Sequence, residues 1–83
     1  MNLEELRKEI DLTDREIIKL LSNRFELAEK IGEYKQKNGI PVCDTLREEQ
    51  ILSRIKKEAE GYGEEITEIY KTLFTQSKKI QHK

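Results

Sequence analysis

The apolar positions of the first third of the chain recur at alternating spacings of three and four. Leu3, Leu6, Ile10, Thr13, Ile17, Leu20, Arg24, Leu27, Ile31 and Tyr34 form one continuous stripe of this kind. That spacing predicts a single helix over roughly residues 3–37. At 1.5 Å per residue the helix is a rod of roughly 52 Å. Turn chemistry follows at Asn38-Gly39-Ile40-Pro41 and again at Gly61-Tyr62-Gly63, because Asn and Gly tolerate positive φ and Pro cannot continue a helix. Between these breaks, Asp44 and Thr45 are N-cap types and Thr45-Leu46-Arg47-Glu48 matches a capping box. A second helix over roughly 44–60 is expected, with Leu46, Ile51, Leu52, Ile55 and Ala59 as its apolar face. A third, over roughly 64–81, carries Ile66, Tyr70, Leu73, Ser77 and Ile80, widened by Ile69 and Phe74. Glu64 and Glu65 near its start and Lys78, Lys79 and Lys83 near its end suit the helix dipole. No β-branched alternation predicts a strand.

The expected fold is therefore all-α: a three-helix protomer forming one domain over residues 1–83. Composition adds a constraint. Of 83 residues, 40% are charged and only 35% apolar, and a chain this short buries little core by itself. The long first helix cannot be covered by two shorter ones, so a second copy of the chain is expected to cover its stripe in an intertwined homodimer. Apolar runs of two or three residues exclude a membrane span. The Met-Asn-Leu-Glu-Glu start carries no secretory signal, which makes a cytoplasmic location the expectation. A net charge of −1 with intermixed signs argues against nucleic-acid binding. One cysteine, Cys43, and one histidine, His82, leave no disulfide framework and no metal site.

Two polar residues interrupt the apolar stripes: Arg24 between Leu20 and Leu27, and Ser77 between Leu73 and Ile80. A guanidinium on an inner face is costly unless it finds an anion; it snorkels outward, pairs with a glutamate, or binds a ligand. Lys35 lies three turns beyond Arg24, within about 20° of the same face and roughly 16 Å along the axis. Two such cations could bracket a small dianion. Arg7 lies about 100° around and roughly 25 Å back; it is a surface charge, or it reaches the pocket of a partner in an antiparallel dimer. Asp44 and Glu48 share a face at i, i+4 beside Arg47, as a cap with a surface ion pair or as pocket carboxylates. Ser77 and Gln81 are a further i, i+4 pair, either inward donors or the polar end of a fraying helix. Gly32 suggests close approach of another backbone or a ligand, or is a tolerated surface glycine. No histidine is placed for base catalysis, Cys43 has no partner for nucleophilic work, and no phosphate loop is present. Such a set binds and orients anions. It could catalyse a unimolecular rearrangement by positioning and electrostatics.

Three stretches carry a resemblance. They are Leu6-Arg7-Lys8-Glu9-Ile10-Asp11 continuing to Asp14, Ile17, Leu20 and Leu21; Arg24-Phe25-Glu26-Leu27-Ala28 with Ile31-Gly32-Glu33-Tyr34-Lys35; and Ile40-Pro41-Val42 with Asp44, Arg47-Glu48 and Ile51-Leu52. With Ser77-x-x-x-Gln81 they resemble the all-α, AroQ-type chorismate mutases over nearly the whole chain. The resemblance implies a helical dimer with two shared active sites and the Claisen rearrangement of chorismate to prephenate, a step towards phenylalanine and tyrosine, without a cofactor or covalent intermediate. Carried over, Arg24 would bind one substrate carboxylate and Arg7 of the other subunit the second. Lys35 and Gln81 would hydrogen-bond the ether oxygen. Glu48 would accept from the substrate hydroxyl, helped by the backbone at Arg47. Asp44 and Ser77 would line the pocket, and Arg47 would complete its polar wall. Cys43 departs from the basic or polar residue of many relatives, the connection between helices 2 and 3 is short, and Gln81 falls on a turn expected to fray. A free-standing enzyme or an isolated domain is expected. An isochorismate-pyruvate lyase of the same fold and a non-catalytic dimeric helical module are the alternatives.

Overall fold

A computed structural model describes residues 1–83 as three helices and no strands. They are α1 (Leu3–Asn38), α2 (Thr45–Glu58) and α3 (Gly63–Gln81). The start of α1 is held by Asn2, whose side-chain oxygen accepts from the Glu5 amide at 2.9 Å. It stops at Gly39, which adopts the left-handed conformation (φ 64°) and lets its own N–H bond back to the Lys35 carbonyl. The 36-residue helix accounts for the 54 Å long axis of the molecule.

The start of α2 differs by one residue from the expected capping box. Asp44, not Thr45, is the cap: its carboxylate accepts from the Arg47 amide at 3.0 Å. Both residues are good N-caps, and once Asp44 fills that role Thr45 becomes the first helical residue. Glu48 is then not needed to close a box, and it turns towards α3 instead. The end of α2 also comes earlier than residue 60, at Glu58, because Glu60 (φ 47°) and Gly61 (φ 96°) turn the chain through left-handed backbone into α3.

α3 is the centre of the protomer. It packs against both α1 and α2, which do not pack on each other. Ile51, Ile55 and Phe74 form a small buried cluster, with Leu52, Ala59, Ile66 and Tyr70 against it. The Tyr70 and Phe74 rings meet edge to face at 6.0 Å. Each such buried side chain contributes about 1.5–3 kcal/mol, and only Ala28 and Leu73 join the three as buried apolar residues.

The face of α1 that meets α3 is not the stripe picked out by periodicity. Ala28 and Gly32 are buried, with Leu21 and Phe25 half-buried beside them, one position round from the expected line. Small residues win this face because they admit the α3 backbone. The larger residues of the stripe (Leu3, Leu6, Ile10, Ile17, Leu20, Leu27, Ile31 and Tyr34) stay 44–64% exposed. Every residue of α1 before Leu21 is exposed, so its first five turns project beyond the other helices. No helix is long and apolar enough to cross a membrane.

Candidate active site

A cavity of about 420 Å³ opens where the three helices meet. Arg24, Leu27, Ala28, Ile31 and Lys35 come from α1; Val42 and Asp44 from the α1–α2 connection; Arg47, Glu48 and Ile51 from α2; and Phe74, Ser77, Lys78 and Gln81 from α3. The structure thus gathers Arg24, Lys35, Asp44, Arg47, Glu48, Ser77 and Gln81 around one space. Arg7 lies in the projecting part of α1, exposed and away from this cavity.

Arg24 neither swings out to solvent nor pairs with a glutamate. Its Nη1 donates to Ser77 Oγ at 2.9 Å, and its guanidinium carbon lies 5.5 Å from the centre of the Tyr70 ring, within cation–π range. No carboxylate of this chain forms an ion pair with it. A guanidinium has five N–H donors; Ser77 takes one and the ring face supports the charge. Ser77 itself is buried.

Lys35 is the joint between three pieces. Its Nζ donates to the Val42 carbonyl at 3.0 Å and to Gln81 Oε1 at 3.1 Å. The first bond holds the connection against α1; the second holds the end of α3. Gln81 is accordingly a half-buried residue of an intact helix and not part of a frayed turn. With Oε1 accepting from Lys35, the Gln81 amide still has its NH2 donors for another partner.

Across the cavity mouth, Lys78 Nζ and Glu48 Oε2 form an ion pair at 2.9 Å between α3 and α2. The hydrogen bond to Glu48 is the main cause that raises the Lys78 pKa above its ordinary value, against an opposing effect of burial and with added attraction from the Glu48 charge. A raised lysine pKa means that the pair's contribution to stability is complete below the ordinary lysine range and is lost as pH climbs through the raised value. Across neutral pH the pair is intact. The cavity lining holds four cationic side chains (Arg24, Lys35, Arg47, Lys78) against two carboxylates (Asp44, Glu48). A chain of net charge −1 therefore presents a local excess of two positive charges, the complement of a dianion.

The sequence matches the chorismate mutase type II family over residues 6–82. The chain belongs to that family. It is 38% identical, over 98% of its length, to a bifunctional chorismate mutase/prephenate dehydratase of Aquifex aeolicus, of which it spans 24%. It is 46% identical, over 66% of its length, to a chorismate mutase of Methanocaldococcus jannaschii, spanning 56% of that protein. A T-protein of Haemophilus influenzae is 41% identical over 74% of this chain, which spans 16% of it. The chain thus corresponds to a part, from about a sixth to just over half, of each of these relatives.

Within this family member the geometry adds groups that sequence reasoning missed. Lys78 complements the helix dipole by its position, and its spacing of four from the core residue Phe74 also puts it on the inner face. Tyr70 was read as core and also supports Arg24. The Val42 carbonyl is a backbone group, and no side-chain pattern announces it.

Gly32 is explained by close approach. A Cβ built there would sit 2.7 Å from the Gln81 Cα and 2.8 Å from its carbonyl oxygen, so the α3 backbone would have to move. We expect Gly32→Ala to destabilise the fold despite the roughly 1 kcal/mol of helix propensity gained, since overpacking against backbone costs about 1–3 kcal/mol. It should also lower turnover by displacing Gln81. Urea unfolding and a rate assay on the same preparation check this; a stabilised, fully active variant would show that the contact is not tight.

Proposed function

We propose that this chain catalyses the rearrangement of chorismate to prephenate, in aromatic amino-acid biosynthesis. The observation that carries the reading is the convergence of Lys35 and Gln81, 3.1 Å apart, in the same cationic cavity as an Arg24 that lacks a carboxylate partner. The reaction is an isomerisation. One C–O bond breaks as one C–C bond forms, and no proton, metal or covalent intermediate has to enter. What the protein must supply is a compact substrate conformation and an environment for the charge that develops on the ether oxygen.

The residues divide these tasks. Arg24, steadied by Ser77 and Tyr70, binds one substrate carboxylate through a charge-assisted contact. The Lys35 ammonium and the Gln81 amide donate to the ether oxygen, where they stabilise the transition state more than the ground state. Glu48 accepts from the substrate hydroxyl beside the Arg47 backbone. Asp44 fixes the first turn of α2, and Arg47 adds to the polar wall. The apolar lining from Leu27, Ile31, Ile51 and Phe74 favours the folded conformer by excluding water.

The second carboxylate requires a second cation, and the reading assigns it to Arg7 of another copy. Two exposed stripes on α1 would cover one another in an intertwined homodimer, carrying each Arg7 along the partner's helix towards the opposite pocket. The proposal includes a cytoplasmic setting. Mixing an Arg7→Ala chain with an Arg24→Ala chain is expected to restore activity, about half that of an unmodified dimer per heterodimer and so about a quarter across a randomly reassorted equimolar mixture, because each heterodimer rebuilds one intact pocket of two. Heterodimers confirmed by mass but inactive would contradict a site shared between chains. Supplying isochorismate separately distinguishes the related lyase, which would release pyruvate.

A further inference from the structure

We propose that Lys78 is a positioning residue for Glu48: it orients that carboxylate and offsets its charge towards a dianionic substrate, while one carboxylate oxygen stays available to accept the substrate hydroxyl. This rests on the functional reading above. The difficulty it resolves is electrostatic. A carboxylate placed beside a dianion is repelled by it, yet a neutral acceptor forms a weaker hydrogen bond.

The geometry meets both demands. Lys78 engages Oε2 of Glu48 at 2.9 Å, and Oε1 has no hydrogen-bond partner in the protein. Both side chains line the cavity. The Glu48 side chain is 24% exposed and that of Lys78 37%, so solvent screens the pair less than it screens the other ion pair, Lys71–Glu68, which lies exposed along α3. Lys78–Glu48 is also the only ion pair that joins two helices. It ties the first turn of α2 to the last turns of α3, the two segments that carry Arg47, Glu48, Ser77 and Gln81. Lys78 follows Ser77 directly and precedes Gln81 by three residues, so it occupies the rim of the pocket and acts on substrate through Glu48.

The test is a double-mutant cycle on the full chain with chorismate as substrate. Lys78→Met is expected to raise KM about fivefold, the upper end for one part-exposed ion pair, with kcat changed less than about twofold. Lys78→Arg should recover most of the loss. In a Glu48→Gln background, where no charge remains to offset, Lys78→Met should change KM less than about twofold. A lowered melting temperature with an unchanged KM would reduce Lys78 to a structural tie and overturn the inference. An equal KM effect in both backgrounds would mean that Lys78 meets the substrate itself, and would overturn it as well. Absence of turnover in the unmodified chain would remove the functional reading and this inference together, whereas turnover with a silent Lys78→Met removes only the inference.

Discussion

Arg24→Leu is expected to lower kcat/KM by about a thousandfold while the helices remain folded. Losing a charge-assisted partner of a bound carboxylate costs about 4 kcal/mol, and each 1.36 kcal/mol is a factor of ten. The structural cost is smaller. The variant forfeits one hydrogen bond to Ser77 and the contact with Tyr70, the latter about 0.5–1 kcal/mol. It gains a leucine on a face that is otherwise apolar, and such replacements are often neutral or stabilising. Thermal unfolding and size-exclusion on the variant, beside its rate, separate the two effects. In a helical module without catalysis, Arg24→Leu would matter only to stability. Full turnover in the variant would mean that Arg24 is not the carboxylate site.

The second large effect belongs to Lys35. Lys35→Ala is expected to reduce kcat by about 10²–10³-fold, the range for removing one donor to a developing oxyanion. KM should move much less, because the interaction strengthens only as the C–O bond breaks. Part of the loss has a second origin. The Lys35 ammonium also holds the Val42 carbonyl and Gln81 Oε1, so its removal frees the other ether donor. Lys35→Ala and Gln81→Ala should therefore be less than additive in a double variant. A raised KM at unchanged kcat would make Lys35 a ground-state binding group and contradict its placement at the ether oxygen.

How much of this could be read in advance depends on the kind of group. Arg24 and Ser77 each stood out as a polar residue in an apolar stripe, and they are bonded to each other at 2.9 Å across 53 residues. Periodicity placed Arg24 and Ser77 each within an apolar stripe but did not give their pairing, since the register of α3 along α1 is set by tertiary packing. That register depends on Ala28 and Gly32, whose small size is invisible to a search for large apolar residues; this is why the expected stripe proved to lie beside the α3 contact. Gly32 could be read only as two alternatives until Gln81 was placed against it. Lys78 was illegible for a different reason. A lysine in the last turn of a charged helix looks the same whether it faces water or a glutamate on a neighbouring helix. Asp44 and Thr45 are adjacent residues with nearly equal capping tendency, so the start of α2 was uncertain by one position. The rise of a helix fixes the separation of Arg7 from Arg24 within one chain, and only a second copy could bring it to a pocket.

The chemistry of the site is the central claim, and the most direct measurement is the loss of chorismate absorbance on adding the protein, with the product identified by NMR. The account predicts catalysed, stoichiometric conversion to prephenate, linear in protein concentration and abolished in Arg24→Leu. Chorismate that decays no faster with the protein than in buffer alone would contradict it.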